Sequence, residues 1–428
     1  MDKKVCMFVW NHFTNDARVL RECTALSEEG FSVDLICIHD PSDKNNLMYE
    51  KLNERFHVYR VQRYPSWLEL SKRFLALCKQ NIWILIATAL IWCLAIFVWP
   101  IFTLIFTFLF LGVFKLKFGP VLVKANIFLR MVIRGCSKRY DIYHSNDLNT
   151  LPQGYICAKV RFKKKKLVYD SHEVQTSRTG YDNPIYGKLE SFLLKKIDTM
   201  IVENDTRAKY NQELYGFYPN VIHNYPFKKD ERDASVAPLH NMLNLPSNEK
   251  LLLYQGGIQT GRGLDKLIQA APLFKEGTLV LIGDGKIKKD LIKMVEELKL
   301  SEKVKFIPKV PLAELPKYTR NAYIGFQVLN NVCFNHYSAS SNKLFEYMMS
   351  GVPVVACNFP EIKKVVEGEK VGICIDSHNY QEIAEAVNTL LDDEQLRDRF
   401  SANCLRAKNK YNWEEEKEHF LQIYKKIS

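Results

Sequence analysis

A run of thirty-three residues without a single charge, Ile82 to Phe114, most constrains what this chain can fold into. It reads IWILIATALIWCLAIFVWPIFTLIFTFLFLGVF. A bilayer core about 30 Å thick takes roughly 20 helical residues, so the run is too long for one upright span and short for two. Pro100 divides it into 82–99 and 101–114, helices of roughly 27 and 21 Å at 1.5 Å per residue. Proline inside a helix removes a backbone hydrogen bond, so a bend is expected at Trp99–Pro100. The flanks are basic: residues 60–139 hold twelve Lys and Arg against one acid, Glu69. Lys72, Arg73 and Lys79 precede the run, and Lys115, Lys117, Lys124, Arg130 and Arg134 follow it. Such flanks favour an anionic, cytoplasmic membrane surface. Trp67, Leu70, Phe74 and Leu77 recur at helical spacing, as in a helix lying at headgroup level. Residues 66–135 are therefore read as a membrane-associating insertion, entering as a re-entrant hairpin or lying as interfacial helices on the cytoplasmic face of the cell membrane. The alternative is an apolar hairpin buried in a larger core.

The rest of the chain has ordinary globular character. It has 428 residues, 47% of them hydrophobic, and a formal charge of +12, which excludes a disordered chain and allows two or three domains. Eleven cysteines are scattered without a C-x-x-C pair, a usage that fits thiols in a reducing compartment better than disulfides or zinc. The start, MDKKVCMFVWNHF, has no long apolar stretch, so no signal peptide is expected. The basic excess surrounds apolar sequence, which argues against nucleic-acid binding.

Outside 66–135, strands alternate with helices. Strands are expected at Lys4–Trp10, Phe31–Ile38, Asp141–His144, Leu167–Tyr169, Thr199–Val202 and Val221–Ile222. A second set is expected at Leu251–Tyr254, Leu279–Ile282, Val304–Ile307, Ile324–Phe326, Val354–Ala356 and Gly372–Ile375. Val19, Leu20, Cys23 and Leu26 mark the buried stripe of the first helix, which Gly30 ends. This alternation predicts an α/β fold with two Rossmann-like lobes facing a cleft. The N-terminal lobe is 1–228, a linker follows at 229–249, the C-terminal lobe is 250–410 and a terminal helix is 411–428.

Three stretches carry chemistry. In Ser341-Asn342-Lys343-Leu344-Phe345-Glu346, Ser338–Asn342 would cap a helix whose free amides suit an anion. Glu346, one turn in, can accept hydrogen bonds from a ribose diol. In Tyr254-Gln255-Gly256-Gly257-Ile258-Gln259-Thr260-Gly261-Arg262-Gly263, a strand passes through a glycine-rich turn into a helix. The glycines admit a phosphate close to the backbone, and Arg262 brings a permanent charge. Asp170-Ser171-His172-Glu173 places a histidine and carboxylates at a strand's carboxyl end.

These stretches, with Asn15–Glu22 and Asp141–His144, resemble the GT-B glycosyltransferases of family 4, retaining enzymes that use nucleotide sugars. The resemblance implies a nucleotide-sugar donor on the C-terminal lobe, with no cofactor and no metal; the absence of a D-x-D triplet agrees. It implies donor contacts from Gly256, Gly257, Arg262, Ile307, Pro308, Ser341, Asn342, Lys343, Leu344 and Glu346, with Glu346 on the ribose and Ile307-Pro308 framing the base. It implies catalytic roles for His172 and Arg262, and an acceptor side formed by Asn15, Asp16, Asp147, His172 and Glu173. Two positions depart from the family pattern. Ser338 stands where the first glutamate of its E-x7-E motif is usual, and Gly257 where many members carry a second diphosphate-binding arginine. Lys343 is expected to restore that charge and is counted as catalytic with His172 and Arg262.

The insertion interrupts the acceptor lobe, so the acceptor is expected to be a lipid-linked sugar or glycolipid at an anionic membrane surface, in cell-surface polysaccharide or glycolipid biosynthesis. Rival readings are a non-catalytic membrane adaptor that kept the fold, and a sugar-nucleotide epimerase, which has no need of a lipid acceptor.

Overall fold

The computed structural model describes residues 3–14, 16–43, 45–114, 119–161, 163–175, 183–228 and 235–428. The chain divides into two compact units. One holds residues 1–169 with 196–198 and Ser428, the other 170–195 with 199–427. Each is an α/β unit with a parallel sheet of Rossmann type.

In the first unit the strands are β1 (Lys4–Phe8), β2 (Ser32–Ile38), β3 (Tyr49–Lys51), β4 (Phe56–Val61), β5 (Ile142–Asn146) and β6 (Lys166–Ser171), in the order β3-β4-β2-β1-β5-β6. β1 pairs in parallel with β2 and β5, and β2 with β4, while β3 runs antiparallel to β4 with Tyr49 facing Tyr59. Central β1 and β2 are apolar and buried along nearly their whole length, as strands covered on both faces must be. Sequence alternation missed β3 and β4, because YEK is too short and FHVYRV is half polar.

Helix α1 (Ala17–Glu28) starts where the Asp16 carboxylate accepts from the Val19 amide. Its buried stripe contains Val19, Cys23 and Leu26 as expected, but Leu20 is 40% exposed and Arg18, Arg21 and Glu22 are buried instead. The reason is electrostatic: Arg18 Nε lies 3.0 Å from Glu22 Oε1, and buried His144 Nε2 lies 3.8 Å from Glu22 Oε2. Charges tolerate burial when paired in this way.

Between β4 and β5 come four helices: α2 (Ser66–Gln80), α3 (Ile82–Val98), α4 (Pro100–Phe114) and α5 (Gly119–Cys136). The break between α3 and α4 falls at Trp99, where Pro100 leaves no amide to continue the ladder. Trp92 Nε1 donates to Thr107 Oγ1 across the pair, 2.9 Å. No residue of α3 is buried, so the apolar run does not fill a core. Phe97 is 92% exposed and Phe102 77%. Among the described residues no single helix is long and apolar enough to cross a membrane; α2 and α3, bent by 118°, reach that length and composition together. Flanking Lys115 and Lys117 lie outside the described residues. Helix α5 returns to the sheet through Ile127, Met131 and Gly135. A side chain on Gly135 would meet the Phe8 ring at 2.6 Å.

The second unit contains β7 (Thr199–Val202) and β8 (Asn220–Val221), paired in parallel, and a six-stranded sheet. That sheet is built from β9 (Leu251–Gln255), β10 (Thr278–Ile282), β11 (Val304–Ile307), β12 (Ala322–Gln327), β13 (Val354–Cys357) and β14 (Gly372–Ile375), in the order β11-β10-β9-β12-β13-β14. The strand order reverses at β9, and the glycine-rich stretch leaves its carboxyl end. Two apolar clusters cover the two faces. The expected helices at 286–298, 380–391 and 412–427 are present as Lys288–Glu297, Tyr380–Asp392 and Trp413–Ile427. Residues 229–234 of the expected linker lie outside the described residues. All eleven cysteines are free thiols.

Candidate active site

The glycine turn after β9 is shaped by close backbone approaches. Gly256, Gly261 and Gly263 have φ of 128°, 78° and 68°, values that L side chains rarely adopt. A Cβ on Gly263 would stand 2.0 Å from the Val328 carbonyl oxygen. Neighbouring Gly283 and Gly285 carry the same constraint, since their Cβ positions fall 1.9 Å from the Gly256 and Ile258 carbonyl oxygens. Gly283-Asp284-Gly285 is thus a packing partner of the turn; Asp284 is held by Lys288, which keeps its carboxyl below the usual range.

Two cations meet at this turn. Lys343, in the helix Asn342–Met349, lies so close to Gly256 that a side chain there would come within 3.5 Å of Nζ. Nζ also stands 5.5 Å from the centre of the Tyr254 ring. Burial first, then the nearby Arg262 guanidinium, lower the Lys343 pKa to about 7, against the opposing pull of Glu346. Neither Lys343 nor Arg262 has an ion pair among the described residues. Two like charges held together without an acid between them define an anion site.

The Glu346 carboxylate is fixed from behind. Gln255 Nε2 donates to Glu346 Oε2 at 2.7 Å, and Thr319 Oγ1 donates to Gln255 Oε1 at 2.7 Å. Gln255 is fully buried and its amide orientation follows from these two partners. Tyr347, also fully buried, donates to the Leu253 carbonyl and accepts from the Gln255 amide. A small recess lined by Gln255, Leu312, Leu315, Thr319 and Glu346 opens at this point.

The stretch ahead of that helix is tied down by Arg207. Its Nε donates to Ser338 Oγ at 3.2 Å, and its guanidinium also bonds the His172 carbonyl and the Glu203 carboxylate. Ser338 and Asn204 are both fully buried, with Asn204 Nδ2 donating to the Ser338 carbonyl at 2.7 Å. His172 Nε2 sits 3.4 Å from Asp170 Oδ2. Asn335 brackets the next residues, accepting from the Val174 amide and donating to its carbonyl. His336, half-buried, contacts Gly261 and Asn330, and burial next to Arg262 lowers its pKa.

Gly256, Arg262, Lys343 and Glu346 therefore come together as the sequence suggests, with Gly257 in the same turn. Ser341 occupies the N-cap position of Asn342–Met349, but no side chain caps it; Ser338 serves Arg207 instead. Leu344 and Ile307 point into the core, 1% and 4% exposed, so only their backbones can face a ligand. Pro308 is exposed at the end of β11. His172 and Glu173 belong to the second unit, whereas Asp16 and Asp147 belong to the first. Asp147 has φ of 61° and its carbonyl accepts from the Thr150 amide; Asn15 lies outside the described residues. Sequence reading missed Gln255, Thr319, Arg207 and His336. A glutamine closing the apolar strand LLLYQ was the one available signal.

Residues 237–406 match the family model "Glycosyl transferases group 1". The chain carries a glycosyltransferase domain. A D-inositol 3-phosphate glycosyltransferase of Thermomonospora curvata is 27% identical over 195 residues, covering 42% of this chain and 44% of that protein. The chain spans about half the length of the curated relatives it matches. Among solved structures, sucrose-phosphate synthase of Thermosynechococcus elongatus superposes with a TM-score of 0.71 at 16% identity, covering 99% of each chain. Anabaena HepE in complex with UDP-glucose gives 0.69 at 15% identity, again covering 99% of each. The fold is that of the GT-B glycosyltransferases.

Proposed function

We propose that this protein transfers a sugar from a nucleoside diphosphate sugar to a lipid-linked or glycolipid acceptor, with retention of configuration, as a family 4 enzyme at the cytoplasmic face of a membrane. The observation that carries the donor half is the pair Arg262 and Lys343, held without an acidic partner beside a glycine turn, with Glu346 clamped one helical turn away. Breaking the sugar–phosphate bond leaves its electron pair on the diphosphate and oxocarbenium character on the sugar. Arg262, Lys343 and the turn's amides stabilise the departing charge. Glu346 holds the ribose diol, and His172 stands beside the transferred sugar. The UDP-glucose held by HepE supports a uridine donor. The acceptor half rests on the exposed apolar surface of α3 and α4 and on the basic residues around it.

The test is a donor screen on detergent-purified protein with a lipid extract as acceptor, comparing wild type with Glu346→Ala. Transfer to lipid that vanishes in the variant is the expected result. Absence of binding or turnover with every nucleotide sugar would favour the adaptor reading, for which Ser338 is the specific observation.

Lys343 predicts a pH dependence. Its pKa is about 7 in the free protein, and a bound diphosphate raises it, so binding takes up a proton above that pH. Affinity for UDP-glucose is expected to fall up to about tenfold per unit as pH rises above 7, measured by calorimetry between pH 6 and 8.5. Lys343→Met should flatten the profile; an equal slope in both proteins removes Lys343 from the site.

Gln255→Leu deletes the donor that orients Glu346. The expected result is a donor KM raised roughly tenfold, the worth of one hydrogen bond to a charged group, with kcat within about twofold. A KM unchanged from wild type would show that Glu346 needs no such support.

A further inference from the structure

The first unit contains a cavity of about 600 Å³ that the donor chemistry does not use. It lies where β1, β2 and β4 end, closed by the start of α2 and the first half of α5. Its walls are apolar and aromatic: Trp10, Ile38, Tyr64, Leu68, Val123 and Ile127. Leu68 and Ile127 are 2% and 4% exposed, so this floor is part of the packed unit. Asn126 fastens α5 over it, donating to the Gln62 and Arg63 carbonyls at 3.0 and 3.2 Å.

The polar lining is one-sided. Arg63, Lys124, His12 and Asn11 contribute, and no acid does; Asn11 donates to the Asp16 carboxylate at 2.7 Å. Neither Arg63 nor Lys124 makes an ion pair or side-chain hydrogen bond among the described residues. The acid that feels Arg63 and His12 is Asp40, which lies outside the lining and is bonded to Ser42. The Arg63 guanidinium lies 5.4 Å from the centre of the Tyr64 ring, and cations without an acidic partner at the rim of an apolar hollow are complementary to an anion carrying a hydrocarbon. Apolar side chains next in sequence to the lining are exposed. Val121, beside Pro120, is 64% exposed, and Trp67 and Leu70, beside Leu68, are 50% and 70% exposed. Helix α3, next after α2, has no buried residue.

We infer that this cavity binds the phosphate and the first chain segment of the lipid acceptor. The phosphate sits between Arg63 and Lys124, and the hydrocarbon leaves over Leu68, Val123 and Ile127 toward α3. The inference rests on the lipid-acceptor reading above and adds the place and the headgroup chemistry. A phosphate at this position gains charge-assisted bonds from both side chains.

The test uses the full chain in nanodiscs with a diazirine-bearing polyprenyl phosphate, mapped by peptide sequencing after irradiation. Equilibrium binding of polyprenyl phosphate and of uncharged polyprenol is measured in parallel. Labelling within 63–68 and 119–127 is expected. The double variant Arg63→Gln, Lys124→Gln should weaken polyprenyl phosphate about 10–30-fold and leave polyprenol and the thermal midpoint unchanged. Val123→Trp, which fills the hollow without altering charge, should block both lipids. Saturable binding that labels other segments, or that survives the double variant, overturns this site while leaving the lipid acceptor standing. Displacement by inorganic phosphate at the lipid's own concentration would reveal a simple anion site and overturn it as well. Failure to bind any phosphate-bearing lipid, with UDP-glucose still bound, removes the lipid-acceptor reading and this site with it.

Discussion

Arg262→Ala is expected to lower kcat for sugar transfer by about 10²–10³-fold while changing donor affinity far less. The guanidinium is a fixed charge where the diphosphate leaves, and the charge it meets grows as the bond breaks. A group that gains interaction energy along the reaction is felt mainly in turnover. Lys343 does not replace it, because a single ammonium lacks the planar, forked set of donors that a guanidinium offers a diphosphate. Loss of Arg262 also removes one of the causes that depress Lys343, so the pH profile should move upward in the variant. Initial rates with radiolabelled donor, with and without added guanidinium, check this. A kcat within about threefold of wild type would take Arg262 out of the chemistry.

Gly263→Ala is expected to damage both the stability of the second unit and its donor site. At φ of 68° the added methyl carbon falls 2.0 Å from the Val328 carbonyl oxygen and 3.0 Å from Asn330 Oδ1. Neither can yield alone: Val328 is 1% exposed and follows directly on β12. Relief requires moving the glycine turn itself, which carries Arg262. A loss of roughly 3 kcal/mol or more is expected, seen as a drop of about 6–10 °C in the unit's thermal midpoint together with loss of UDP-glucose binding. Gly257→Ala is the control. Its Cβ would meet only Gln259 Cγ, at an ordinary 3.6 Å, so the midpoint should stay within about 1 °C. Equal midpoints for the two variants would show that the turn adapts.

Much of this was legible because buried parallel strands declare themselves as short apolar runs between glycine, proline and capping residues. LLLYQ, TLVLI and VVAC are such runs, and each is fully buried. The edge strand and its neighbour escaped for the opposite reason. Tyr49–Lys51 and Phe56–Val61 mix polar and apolar residues and form only through their neighbours. Leu20 was misplaced because pairing of Arg18 with Glu22 turned polar residues inward. In the site, Arg262, Lys343 and Glu346 were readable as types at suggestive spacing. What orients them was not: Gln255 reaches Glu346 across 91 residues and Thr319 reaches Gln255 across 64. Arg207 reaches Ser338 across 131. Local sequence has no means of announcing a partner that far away.

The four helices between β4 and β5 occupy a particular seam. In the order β4-β2-β1-β5 this connection must step over two strands, and α5 alone makes that step, packing through Ile127, Met131 and Gly135. Everything from Ser66 to Phe114 is an excursion the sheet's hydrogen bonds do not see. Lengthening a loop costs only about 0.6 kcal/mol per doubling, so α3 and α4, beyond the buried Leu68 of α2, can be rebuilt, shortened or exchanged without retuning the strands. The strands that carry the first unit are thereby insulated from change in α3 and α4.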